Sequence, residues 1–237
     1  MTQSASRFNT FVNILTAPKA ALIELKQQPN FLFPLISIVL ISALPIGYYF
    51  TKVDFAWLID HMVETQSVGK SPDEIEGMRK GLGAMSQTVM GISSIIGAIL
   101  VTPIIYLLIA LYLFLVNKIL DREAISFRSW FSLVCWTAIP VVFTGLASLV
   151  NVLLATDGQL ALDSINPISF NNLFIHLIPS DPLFGPINNW DPMTIWSLAL
   201  AVFGYSLWTQ KSLIKSAVVV LAPTIIIYGT WIAVVLK

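Results

Sequence analysis

Apolar residues in this chain first recur at helical spacing and then run without interruption. Phe8, Phe11, Val12 and Leu15, and beyond Pro18 Ala21, Leu22 and Leu25, repeat every three or four positions, with Lys19 and Lys26 towards the other face. This spacing predicts an amphipathic helix lying on a membrane surface or covering the ends of a helix bundle. Pro29 ends it and Pro34 begins a descent, because proline lacks the amide proton and disfavours helix in the preceding residue. Five apolar windows follow: Phe31 to Phe50, Thr88 to Val116, Trp130 to Leu154, Met193 to Trp208 and Ala217 to Leu236. At roughly 1.5 Å per residue they suffice to cross about 30 Å of hydrocarbon, the fourth with modest thinning of the bilayer at its ends. The pattern predicts an all-α fold, a polytopic bundle of five transmembrane helices with an N-terminal interfacial helix and short external amphipathic helices. Residues 1–30 are then a cytoplasmic N-terminal segment and residues 31–237 the transmembrane domain.

The polar stretches between the windows carry their own signals. In "VDFAWLIDHMVETQ", Phe55, Leu58, Ile59 and Met62 form one stripe, opposite Asp54, Asp60, His61 and Glu64. "SPDEIEGMRKGLGAM" begins with Ser71 as a cap, Pro72 at the first helical position and Glu74 placed to close a capping box. Gly77, Gly81 and Gly83 weaken that helix and predict a break before the second span. "FNNLFIHLIP" sets Phe170, Leu173, Phe174 and Leu177 on one side, with Asn172 and His176 off it. In "WDPMTIW", Asp191 is a cap and Pro192 a first helical residue.

Composition agrees with a membrane protein, since 56% of residues are hydrophobic and only 11% charged, against roughly a quarter charged in soluble domains. Thirteen basic residues balance thirteen acidic ones, so the chain lacks the basic footprint of a nucleic-acid binder. The first 30 residues contain no apolar block and cleavage pattern of a secretory signal. Arg7, Lys19 and Lys26 precede the first span, Lys118, Arg122 and Arg128 fill the second loop, and Lys211 and Lys215 the fourth. Residues 155–192 hold four aspartates and no lysine or arginine. Short basic loops stay cytoplasmic, which predicts an inner N-terminus, an outer third loop and an outer C-terminus, fitting a bacterial inner membrane.

No Asp, Glu, Lys, Arg or His falls inside any of the five windows. Since intramembrane ionisable residues mark proton relays and ion paths, this disfavours a charge-coupled pump while allowing a pathway for lipid or a neutral solute. Pro45, Pro103, Pro140 and Pro223 lie in or near spans, with Thr102, Thr137, Thr144 and Thr224 close by to satisfy freed carbonyls; they are hinges around a cavity or ordinary kinks. Ser93 with Gly97, Ser94 with Ala98, and Ala201, Gly204 and Ser206 offer close-packing seams, taken to be filled within the chain. Trp130, Trp190, Trp208 and Trp231 sit near span ends, where indole suits the headgroup region. Asp60, His61 and Glu64, with His176 as a further ligand, form either an external divalent-metal site or a solvated polar face. The lone Cys135 packs in an apolar run. Catalytic signatures such as Gly-x-Ser-x-Gly, H-E-x-x-H and Gly-rich phosphate loops do not occur, so neither an enzyme nor a cofactor is expected.

Two segments, "TAPKAALIELKQQPNFLFPLIS" and "ISFRSWFSLVCWTAIPVVFTG", together with five spans and a short basic second loop, resemble the bacterial branch of the Ypt/Rab-interacting-protein (Yip) membrane family. The resemblance covers most of the chain from about Thr16 onward. It implies five helices, a cytoplasmic N-terminus and an external C-terminus, and in eukaryotic members an association with prenylated Rab-type GTPases. The expected role is a non-catalytic membrane protein that organises partner proteins or lipids, with a carrier for lipid or neutral solute as the rival. Expected partners are membrane lipids and a membrane protein or second copy, without nucleic acid.

Overall fold

A computed structural model describes residues 6–120 and 124–237, which leaves the predicted cytoplasmic charge at Arg122 outside the described residues. These residues form helices α1 (Arg7–Thr16), α2 (Pro18–Gln27), α3 (Leu32–Lys52), α4 (Phe55–Gln66), α5 (Pro72–Gly83), α6 (Gln87–Leu120), α7 (Phe127–Thr137), α8 (Val141–Leu154), α9 (Phe184–Asn188), α10 (Pro192–Thr209) and α11 (Leu213–Val235), with a short 3₁₀ turn at Leu162–Ser164 and a π-helical turn at Asn171–Ile175. No strand occurs among the described residues. Three helices, α3, α6 and α11, are long and apolar enough to cross a membrane, and α7 with α8 makes a fourth candidate bent by 41°. At 18 residues, α10 does not join them: Trp196, Ser197, Tyr205, Ser206, Trp208 and Thr209 dilute its apolar character.

The bend has a local cause. Pro140 cannot donate to the carbonyl of Trp136, which instead accepts from the Ile139 amide at 3.2 Å in a tighter turn; Val141 and Val142 bond back to Ala138 and Ile139 in the same manner. Thr137 returns its hydroxyl to Leu133 O at 2.9 Å. Pro45, Pro103 and Pro223, by contrast, lie inside uninterrupted helices.

The chain divides into two compact units, and α3, α6, α8, α10 and α11 contribute to both. The first comprises the described residues up to Leu40 together with Leu100–Val142 and Met193–Gly229. Its core is built on Trp130, Trp136, Trp208, Tyr205 and Leu133, all buried, with α1 and α2 packed on α7. Ala21, Leu22 and Leu25 are buried as their spacing predicts. On α1 the buried side is Thr10 and Ile14, whereas Phe8 and Val12 of the expected stripe are exposed. The reason is that α1 carries apolar residues on more than one side, and its packing on α2 and α7 selects the Thr10–Ile14 ridge, one i, i+4 step.

The tryptophan expectation needs a larger correction. Trp130 and Trp208 are 0% and 1% exposed, so they are core residues and not headgroup anchors. The indole of Trp208 donates to Leu22 O at 2.8 Å, and Lys26 Nζ donates to Trp208 O at 2.6 Å, closing the end of α10 with α2. Three further hydrogen bonds lock the entry to α3: Ser132 Oγ and Trp136 Nε1 donate to Asn30 O at 2.6 and 2.8 Å, and Asn30 N donates back to Ser132 Oγ. Beside this lock, a Cβ on Gly204 would collide with Leu133, so that seam is filled within the chain.

The second unit takes Ile41–Ile99, Phe143–Pro192 and Thr230–Lys237. Tyr49, Phe50, Val53, Leu58, Ile59, Val63, Met90 and Val152 form its apolar core. Asp54 caps α4 by accepting from Trp57 N, and the Ser71–Glu74 capping box starts α5 as expected. The glycine-weakened α5 ends at Gly83, and the chain breaks before α6.

Candidate functional site

The densest polar arrangement lies in the second unit, where the segment after α8 folds against α3 and α8. It descends along them in steps. Gly158 O accepts from Asp54 N at 2.9 Å, just beyond the end of α3. Leu160 O accepts from the Tyr49 hydroxyl at 2.8 Å, nearly one turn lower. Asn151 of α8 donates its amide to Ser164 O and Ile165 O at 2.9 and 3.2 Å. Asn166 then reaches Asp191: its Nδ2 donates to Asp191 Oδ2 at 3.1 Å, and Thr144 Oγ1 of α8 donates to the same oxygen at 3.1 Å.

Around this carboxylate the remaining polar groups interlock. Ser169, fully buried, donates to Asn188 Oδ1 at 2.8 Å, and Asn188 donates to Asp163 O. Asn172 donates to Asn166 O at 2.7 Å, and Phe170 N donates to Trp190 O at 2.7 Å. Asn171, 3% exposed, closes the next turn with both ends of its side chain, donating to Leu177 O at 3.2 Å and accepting from Leu177 N at 2.8 Å. The turn ends on His176 in the left-handed region, φ 59°. A non-helical backbone must find partners for every amide and carbonyl, and here asparagine and serine side chains supply many of them.

Asp191 is 4% exposed. The five windows contain no Asp, Glu, Lys, Arg or His, yet the fold carries this aspartate from the predicted external loop to Thr144, inside the third window. Next to it, Gly145 permits a very close approach: a Cβ there would lie 2.7 Å from Ile41 O, near the middle of α3. The proximity of Asp191, Thr144 and Asn166 has no helical or strand periodicity behind it. The available signal was a long segment rich in asparagine and apolar residues but free of lysine and arginine, which is unusual for a solvated loop.

The acidic and histidine residues of the first loop are arranged differently. Asp60 pairs with Arg79, and the His61 ring stacks on Trp57 at 5.0 Å with its Nε2 buried. Glu64 is exposed on the same helix, and His176 is exposed at the end of its turn. No group of three or more metal-ligating side chains converges among the described residues. Ser93 is exposed, and a Cβ on Gly97 would meet nothing within 4 Å, so this predicted seam is not filled by the chain itself.

Against known proteins, residues 12–234 match a family model described as the Yip1 domain. No curated protein and no solved structure matches.

Proposed function

Because the chain belongs to the Yip1-domain family, we propose that it is a non-catalytic, five-crossing protein of a bacterial inner membrane that organises a membrane partner through its helix bundle. In this reading the N-terminus lies inside and the C-terminus outside, as the basic loops suggest. The observation that carries the proposal is the open seam on α6. Small residues spaced four apart let a second helix approach closely, and Ser93 and Gly97 offer such a seam with no side chain of this chain upon it. The lipid-facing role rests on exposed apolar residues such as Ile225, Ile226 and Ile227 on α11, each more than 60% exposed. A photocrosslinking residue at Ser93, activated in native membranes, is expected to join a second polypeptide, either another copy or a different protein, while the same residue at Ile225 joins lipid. Lipid adducts alone at both positions would remove the partner from the reading.

A carrier for lipid or neutral solute is the second reading, favoured by the 41° bend at Pro140 between α7 and α8. Reconstituted liposomes test it, since a carrier moves labelled lipid or solute faster than empty vesicles do.

A further inference from the structure

The third loop is predicted from charge to lie in external water, yet its hydrogen bonds trace a path into the depth of the bundle. Helix α3 measures depth within the second unit. Its 21 residues span about 31 Å, matching the roughly 30 Å of bilayer hydrocarbon, so Ile41 lies near mid-depth. From Lys52 to Ile41 is a descent of about 16 Å, and from Leu154 to Thr144 on α8 about 15 Å. These two estimates agree, and Gly145 against Ile41 ties them to one level. The loop begins that descent at Asp54, passes Tyr49 and Asn151, and reaches its lowest anchor where Asn166 and Thr144 hold Asp191.

We infer that residues 158–191 are a segment embedded in the outer half of the bilayer, with Leu173, Phe174, Ile175 and Ile178 turned towards lipid acyl chains.

Lipid is the occupant that the chemistry of the turn selects. Phe170 N on Trp190 O roots the turn one residue from Asp191, hence near the deep anchor. Phe174 and Ile178 are 69% and 66% exposed, and Leu173 and Ile175 are exposed too. Residues 169–180 contain no Asp, Glu, Lys or Arg, and His176 is their only ionisable side chain. Leu153 and Leu154 of α8, in the same unit, are likewise exposed apolar residues suited to acyl chains. Irregular backbone is tolerated at membrane depth only when its polar groups are met within the protein, which is what Asn166, Asn171, Asn172 and Asn188 accomplish.

This inference rests on the reading that α3 crosses the bilayer with the third loop outside, and its test separates the two. Cysteines are placed singly at Phe174, at Ile178 and at Val68, which is 70% exposed between α4 and α5; wild type, whose Cys135 is fully buried, is the blank. A membrane-impermeant maleimide added outside is expected to label Val68→Cys readily and Phe174→Cys and Ile178→Cys at least roughly tenfold more slowly, since one pKa unit of thiolate suppression by burial already gives that factor. Spin labels at 174 and 178 should be relaxed more strongly by oxygen, which concentrates in hydrocarbon, than by a water-soluble nickel complex. Labelling of Phe174→Cys as fast as Val68→Cys, or stronger relaxation by nickel, would overturn the inference and leave the crossings intact. Protection at 174 from both relaxing agents would also overturn it, by showing protein over the turn. Labelling of Val68→Cys only from the inner side would overturn the orientation and the assignment to the outer half.

Discussion

The two units of this protein solve one problem, the order of a polypeptide largely surrounded by oil, with different materials. The first unit is held by large side chains: three buried tryptophans, Tyr205 and Leu133, under amphipathic helices that lie on α7. Its hydrogen bonds decorate that packing, as where the Trp208 and Trp136 indoles donate to Leu22 and Asn30 carbonyls. The second unit has an apolar core as well, but the shape of residues 158–191 is set by asparagine, serine and aspartate side chains bonded to backbone and to one another. Helices satisfy their own backbone and need only volume to dock; an irregular segment needs a partner for each polar group.

That contrast can be broken by exchange of material. The largest effect is expected in the first unit. Trp208→Ala should lower stability by about 3–5 kcal/mol, as loss of a buried aromatic core side chain does, and a lower thermal midpoint in detergent would show it. A smaller loss at Trp208 than at any polar site of the second unit would reverse the comparison.

Next comes Gly145→Leu, which drives a side chain into the Ile41 backbone and should cost about 1–3 kcal/mol or more through overpacking. Asp191→Ala should cost on the order of 1–3 kcal/mol by leaving the Thr144 hydroxyl and Asn166 amide without their acceptor. Its effect should be regional: amide hydrogen exchange should rise across residues 158–191 and stay unchanged around Trp208. Asp191→Asn, which keeps one acceptor oxygen, should lose less. Uniform exchange changes in both units would show that the polar network is not a separate support.

The smallest effect concerns the cap of α5. The Glu74 carboxyl is held below its ordinary pKa first by the backbone amide of Ser71, then by its hydroxyl. Its contribution to the cap is therefore present above the ordinary carboxylate range and is lost as pH falls through the lowered value in the folded protein. Exchange of the first amides of α5 should increase over that acid range, and Glu74→Gln should abolish the pH dependence.

Periodicity spoke accurately in α2 but not in α1, where Phe8 and Val12 of the expected stripe are exposed. The stripe Ala21, Leu22 and Leu25 is buried, the capping box at Ser71 forms, and the α5–α6 break follows the three glycines. The first loop's stripe is nearly right, with Leu58 and Ile59 buried and Val63 buried alongside them, while Met62 packs partly. Tryptophans misled because position near a span end does not distinguish an indole facing headgroups from one facing another helix. The seams misled in a similar way: Gly204 is filled by Leu133, whereas Gly97 stays open, although both read alike as small residues on apolar helices.

The sequence by itself determined the all-α character, the apolar helices and the places where helices start, break and end, because backbone hydrogen bonding and hydrophobic spacing act over a few residues. Tertiary structure alone decided which small residues meet a neighbour, which tryptophans enter the core, and that Asp191 lies against Thr144, 47 positions away in the chain. Those outcomes depend on contacts between distant segments, and a carboxylate beside a proline reads identically in water or against a helix until the fold supplies its surroundings.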